Sequence, residues 1–121
     1  MPAKAIPPRR QAPPFAVDVH PERDVVRVVP AGELDLATAG RLEDVLHELR
    51  SAGFVHVVLD MRELTFIDSS GIRVVLAEHR FAETSDHEFS LIPGPPAIRR
   101  TLEVCGLRDL LHVDATWSAR A

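Results

Sequence analysis

The stretch Leu59-Asp60-Met61-Arg62-Glu63-Leu64-Thr65-Phe66-Ile67-Asp68-Ser69-Ser70-Gly71-Ile72 decides the reading of this chain. It grows out of Phe54-Val-His-Val-Val-Leu59, a nearly continuous apolar run of the kind left by a strand buried on both faces. After it, Ile72, Val75, Leu76 and His79 recur at helical spacing, which predicts a helix from Ser69 to about Glu83. A buried strand thus runs into a loop, and the loop delivers Asp68-Ser-Ser-Gly71 to a helix start. The first turn of a helix has free N–H groups and the positive end of the helix dipole. Asp68 suits that position as a cap. A serine there presents its hydroxyl at a chain end that normally faces solvent, and Gly71 lets another backbone come close. Taken alone, Asp-Ser-Ser-Gly is also what ordinary helix caps are made of.

Working outward, Phe15 to His20 alternates like a half-buried strand, Pro21-Glu-Arg-Asp24 makes a turn, and β-branched Val25 to Val29 completes a hairpin. Gly32-Glu-Leu-Asp35 breaks the pattern. From Thr38 the period becomes helical, with Leu42, Val45, Leu46 and Leu49 on one face; Asp35 or Thr38 caps this helix and Gly53 ends it. On the other side, Ser85-Asp86 marks a turn and Phe89 to Ile92 a short strand. Gly94-Pro-Pro opens a third helix with proline in its first turn. Ile98, Leu102 and Cys105 line one face of it, which reads as a buried, inert thiol, and Gly106 ends it. Leu110 to Val113 adds an edge strand. The order β-β-α-β-α-β-α-(β) predicts an α/β fold: a mixed, mostly parallel sheet of about five strands with three or four helices packed on it. The domain spans residues 15–113. Residues 1–14 hold five of the ten prolines and read as a disordered tail; residues 114–121 form an uninformative C-terminal tail.

Length and composition suit one globular domain: 121 residues, 45% hydrophobic, 26% charged. A net charge of −4 argues against nucleic acid, which attracts basic patches. One cysteine cannot form an internal disulfide, no apolar run approaches the roughly 20 residues needed to span a bilayer, and prolines break up any leader-like segment. The expectation is a cytoplasmic protein without direct membrane insertion. Enzyme chemistry has little to stand on. Asp-Ser-Ser-Gly is not the Gly-x-Ser-x-Gly elbow of a serine hydrolase, and nothing in the sequence places one of the six histidines beside Ser70. His79-Glu83 is a helical His–carboxylate pair at i,i+4, but there is no clustered ligand set, so no metal site is expected. No phosphate-cradling P-loop is present either, and no cofactor is expected.

Four blocks together carry a resemblance. Ala31-Gly-Glu-Leu-Asp35, Leu59-Asp60, Leu64-Thr-Phe-Ile-Asp-Ser-Ser-Gly-Ile72, and Gly94-Pro-Pro-Ala-Ile-Arg-Arg100 with Gly106-Leu-Arg-Asp-Leu110 resemble the STAS domain, and within it the anti-sigma factor antagonists. The resemblance covers about residues 15–113. It implies that the second serine of the block, Ser70, is phosphorylated. It also implies that the unmodified chain binds an anti-sigma factor that is an ATP-dependent serine kinase, freeing a sigma factor for transcription, and that a serine phosphatase restores the modified form. STAS domains also serve as accessory subunits of membrane transport or sensory complexes, which is the alternative function. Two departures stand out: Arg73, where many relatives have a small residue, and Thr84-Ser-Asp-His87, which lacks the glycines usual before the fourth strand.

The partner-binding candidates are Asp35, Asp68, Ser69, Ser70, Gly71, Arg73 and Val74. Ser70 shares a helical face with Val74, Ala77 and Phe81, while Ile72, Val75, Leu76 and His79 form the face expected to pack on the sheet. The Val74 stripe is either an exposed apolar patch beside the switch or part of the core; the sequence leaves both open. That direction, together with the resemblance, favours Ser70 over Ser69 as the modified residue.

Overall fold

The computed structural model describes residues 14–107 and 112–113. Residues 1–13 and 114–121, read above as tails, lie outside the described residues, as do Leu110 and Leu111 of the expected last strand. The elements run β1 (Ala16–Glu22), β2 (Val25–Leu34), α1 (Ala39–Ser51), β3 (His56–Asp60), β4 (Leu64–Ile67), α2 (Ser69–Thr84), β5 (Glu88–Ile92), α3 (Pro96–Val104) and β6 (His112–Val113). The hairpin forms as expected: β1 and β2 pair antiparallel, with Glu22 opposite Val25 across the two-residue turn Arg23-Asp24. All other pairings are parallel, in the order β1-β2-β3-β5-β6, with β4 also lying beside β2. The sheet is mixed and mostly parallel, as the sequence indicates, and three helices occur among the described residues.

The sixth strand is β4, which sequence reading takes for loop. Leu64 and Ile67 are buried and the two residues between them exposed, so neither alternation nor an apolar run marks it. Its partner is the end of β2, and here a second reading is corrected. Gly32-Glu-Leu does not break the strand; β2 continues to Leu34 with an irregularity between Gly32 and Glu33. Gly32 adopts φ 103° and its N–H donates to the Glu63 carbonyl at 3.1 Å. The glycine serves a bulge, which re-aims the strand from β3 toward β4.

The pleat sends Val26, Val28, Val57, Leu59, Phe89 and Leu91 to one face of the sheet, where they meet Leu42 and Leu46 of α1, Ile72 and Val75 of α2, and Ile98 and Leu102 of α3 in one core. Val45 and Leu49 pack at its margin, so the predicted α1 stripe holds. Gly53, at φ 97°, follows the end of α1. The Arg50 guanidinium ties α1 to α2: it pairs with the buried Glu78 carboxylate and lies 4.4 Å above the Phe81 ring. Asp86 supplies the left-handed residue, φ 61°, in the turn that lacks glycine; aspartate tolerates that conformation better than most residues.

The expected burial of Cys105 is corrected. Helix α3 ends at Val104, and Cys105 is exposed. The place on the apolar face goes to buried Leu107, whose N–H bonds back to the Leu102 carbonyl at 3.0 Å once Gly106 has turned the chain at φ 74°.

Candidate functional site

Asp68 lies between β4 and α2 and joins both to β2. Its Oδ1 accepts the N–H groups of Ser70 at 2.8 Å and Gly71 at 3.3 Å, and its own N–H donates to the Leu34 carbonyl at 3.2 Å. It is the helix cap the sequence predicts. Gly71 is buried against this same strand end. A Cβ there would stand 2.8 Å from both Leu34 Cγ and Ile67 Cγ1. The close approach that Gly71 permits is therefore an internal one, to the side chains under the first helical turn.

Ser69 is exposed and Ser70 half-buried. Sharing a face with Val74 does not turn Ser70 outward, because Val74 is only 7% exposed and belongs to the core with Ile72 and Val75. Helix α2 packs on the sheet and also on α1, so two adjoining stripes are covered rather than one. Val74-Ala77-Phe81 is consequently no exposed apolar patch: Ala77 is exposed, but Phe81 is half-buried beneath Arg50. Val74 leaves the set of surface candidates. Arg73 is exposed, with no hydrogen bond or ion pair to any described residue.

The parallel register Leu34↔Ile67 carries two chain segments out of the sheet side by side. Two residues beyond this pair stand Leu36 on one and Ser69 on the other. Asp35 organises the first segment. Its Oδ1 accepts the N–H groups of Ala37 at 3.0 Å and Thr38 at 3.2 Å. Its own N–H donates to Thr38 Oγ1 at 2.9 Å, and the Thr38 hydroxyl donates to the Glu33 carbonyl at 2.7 Å. Neither Asp35 nor Thr38 caps α1 with its side chain; both are used in building the turn before it. That turn holds out Leu36, 81% exposed, while Phe66 on β4 is 47% exposed. Sequence reasoning missed both. Leu36 lies off the α1 stripe and follows an aspartate that builds a turn, which is the signal that it has no part in the core.

The strand–loop join behind β4 is held by charge. Asp60, 2% exposed, accepts Arg62 Nε at 2.9 Å, Arg62 Nη2 at 2.8 Å, the Arg62 N–H at 3.1 Å and Arg27 Nη1 at 3.1 Å. Burial pushes its carboxyl up, but the bonds and charge of Arg62, with Arg27, outweigh it and hold the group below its ordinary range. Among the described residues no three His, Cys, Asp or Glu side chains gather as a metal would need, and no helix is long and apolar enough to cross a membrane.

Asp68 and Ser69 thus carry the chain from a strand pair into a capped helix. The STAS domain family matches residues 16–119. The anti-sigma-B factor antagonist of Staphylococcus aureus strain NCTC 8325 is 30% identical over 83 residues, spanning 69% of this chain and 77% of that protein. The chain is a STAS domain of the anti-sigma factor antagonist family. This STAS domain also shares its fold with solved relatives. An anti-sigma factor antagonist from Mycobacterium paratuberculosis superposes with a TM-score of 0.79 at 23% identity, covering 88% of this chain and 90% of that one. The Bacillus cell-fate determinant SpoIIAA in its phosphorylated form superposes at 0.65 with 22% identity, covering 88% and 96%. At these identities the structural likeness concerns the fold.

Proposed function

We propose that this STAS domain, when unmodified, binds an anti-sigma factor that is also a serine kinase, so releasing a sigma factor, and that phosphorylation at the start of α2 ends the binding. The observation that carries this reading is the exposed Ser69 on a side-chain-capped helix start, at the end of the strand pair that also carries the exposed Leu36 and Phe66. Two large apolar side chains on hydrogen-bonded supports make good anchors for a protein partner. Exposure favours Ser69 as the acceptor of the phosphoryl group over Ser70, to which the family resemblance points.

A phosphate on Ser69 adds about −1.5 to −2 charges at neutral pH. Asp68 already occupies two first-turn N–H groups, so the fold neither requires the phosphate nor is disrupted by it. The change falls on the partner. An interface closed over a neutral hydroxyl would have to bury an unpaired dianion, at a cost that exceeds the modest surplus holding a transient complex together. In this scheme Asp35 positions Leu36, Asp68 and Gly71 position the serines, and Arg73 lies on the contact surface. ATP belongs to the kinase, a serine phosphatase reverses the modification, and the exchange takes place in the cytoplasm.

The test uses the anti-sigma factor kinases of the source organism, each purified and titrated calorimetrically with unmodified and phosphorylated chain. One kinase should bind the unmodified form and add one phosphate, which mass spectrometry places on Ser69. Affinity should then fall at least about 100-fold. Ser69→Ala should bind without being modified, and Leu36→Ala should lose about tenfold in affinity at unchanged stability. Phosphorylation that persists in Ser69→Ala and disappears in Ser70→Ala would return the role to Ser70. Equal binding of both forms would overturn the switch.

A further inference from the structure

We infer that Arg73 receives the phosphate of Ser69 in cis, as an intramolecular clamp. The inference rests on the phosphorylation proposed above and concerns what the phosphate then does.

Ser69 is the first residue of α2 and Arg73 lies four residues on, so the two share a face with Cβ atoms about 5–6 Å apart. Side chains on a helix lean toward its N-terminus, which lays the long arginine over the turn that carries Ser69. Arg73 is exposed and uncommitted among the described residues, whereas Arg27, Arg50 and Arg62 each hold a carboxylate. The phosphate has few other places to go. The N–H groups of Ser70 and Gly71 are taken by Asp68 Oδ1. The Asp68 carboxylate repels the phosphate from the N-terminal side, and Glu33 and Asp35 add negative charge on the neighbouring strand end. Repulsion from one side and an open guanidinium on the other turn the phosphate the same way, and the planar fork of arginine matches two phosphate oxygens. Phosphorylation therefore does two things to the surface a partner meets: it adds a dianion and withdraws the cation one helical turn from the serine.

The test needs no partner. Phosphoserine is encoded at position 69 of the full chain during translation, and its second ionisation is followed by phosphorus NMR in low salt. Arg73→Gln should raise that pKa by about 0.15 to 0.4 units, the size expected of an exposed i,i+4 pair. Arg73→Lys should recover part of the shift, and about 1 M salt should shrink the difference. The Arg73 Nε–H resonance should move on phosphorylation and stay unmoved in protein with unmodified serine. Equal phosphate pKa values in the parent and the Arg73→Gln variant, with an unmoved Nε–H signal in the parent, would overturn the clamp alone. Failure of every kinase to modify the serine would instead remove the switch, and with it any regulatory use of the clamp. Thermal midpoints of the unphosphorylated variants should coincide, which separates the pairing from any change in folding.

Discussion

Gly71 offers a quantitative test of how tightly α2 is seated on β2 and β4. Alanine there adds a Cβ at 2.8 Å from Leu34 Cγ, 2.8 Å from Ile67 Cγ1 and 2.9 Å from Leu34 Cδ2. Both neighbours are buried side chains of the core, and Asp68 ties the helix start to Leu34 by a backbone hydrogen bond. Relief requires lifting the first turn of α2, and overpacking of this kind costs about 1–3 kcal/mol. Against it, alanine recovers about 0.5–1 kcal/mol of backbone entropy inside a helix. The balance is a loss of between about 0 and 2.5 kcal/mol, centred near 1 kcal/mol, and each kcal/mol lowers the thermal midpoint of a domain this size by about 4–8 °C. Gly40, in the first turn of α1, is the control, because a Cβ there meets nothing within 4 Å. Urea denaturation of the two alanine variants should therefore give opposite signs: Gly71→Ala less stable than the parent, Gly40→Ala equal or more stable by up to about 1 kcal/mol. A Gly71→Ala protein at or above parental stability would refute the packing argument. The same variant should also bind the partner more weakly, since a lifted first turn displaces Ser69 relative to Leu36.

Val74→Ala should cost about 2 kcal/mol in the same urea assay, as a core truncation does; unchanged stability with lost partner binding would restore Val74 to the surface. Glu78→Gln removes the partner of Arg50 and should cost about 2–3 kcal/mol, less than a fully buried pair because the arginine is partly exposed; a change below about 0.5 kcal/mol would show the α1–α2 clamp to be inert. Asp60 titrates below its ordinary 3.8 in the folded chain, so its stabilisation is complete above that value and is lost as pH falls through the folded pKa. The urea midpoint should therefore drop below about pH 4, and Asp60→Asn should remove that part of the drop while lowering stability at pH 7; parallel acid profiles for the two proteins would contradict the role given to Arg62 and Arg27.

Hydrophobic periodicity alone determined α1, α2 and α3, the β1–β2 hairpin, and the buried strands β3 and β5, because each shows a local repeat of its own. The Asp68 cap and the place of the serine pair at a helix start were legible for the same reason: capping is chemistry between neighbours in sequence. Tertiary structure decided what depends on distant residues. Strand β4 exists through its pairing with the far end of β2, which carries no local repeat. Val74 is buried because α1 covers a second side of α2, and a one-dimensional pattern shows that a residue is apolar without showing how many neighbours surround it. The same limit hid the exposure of Cys105, Leu36 and Phe66 and the order of exposure within Ser69-Ser70. Solvent access is a sum over everything packed around a side chain, and most of that packing comes from segments far away along the chain.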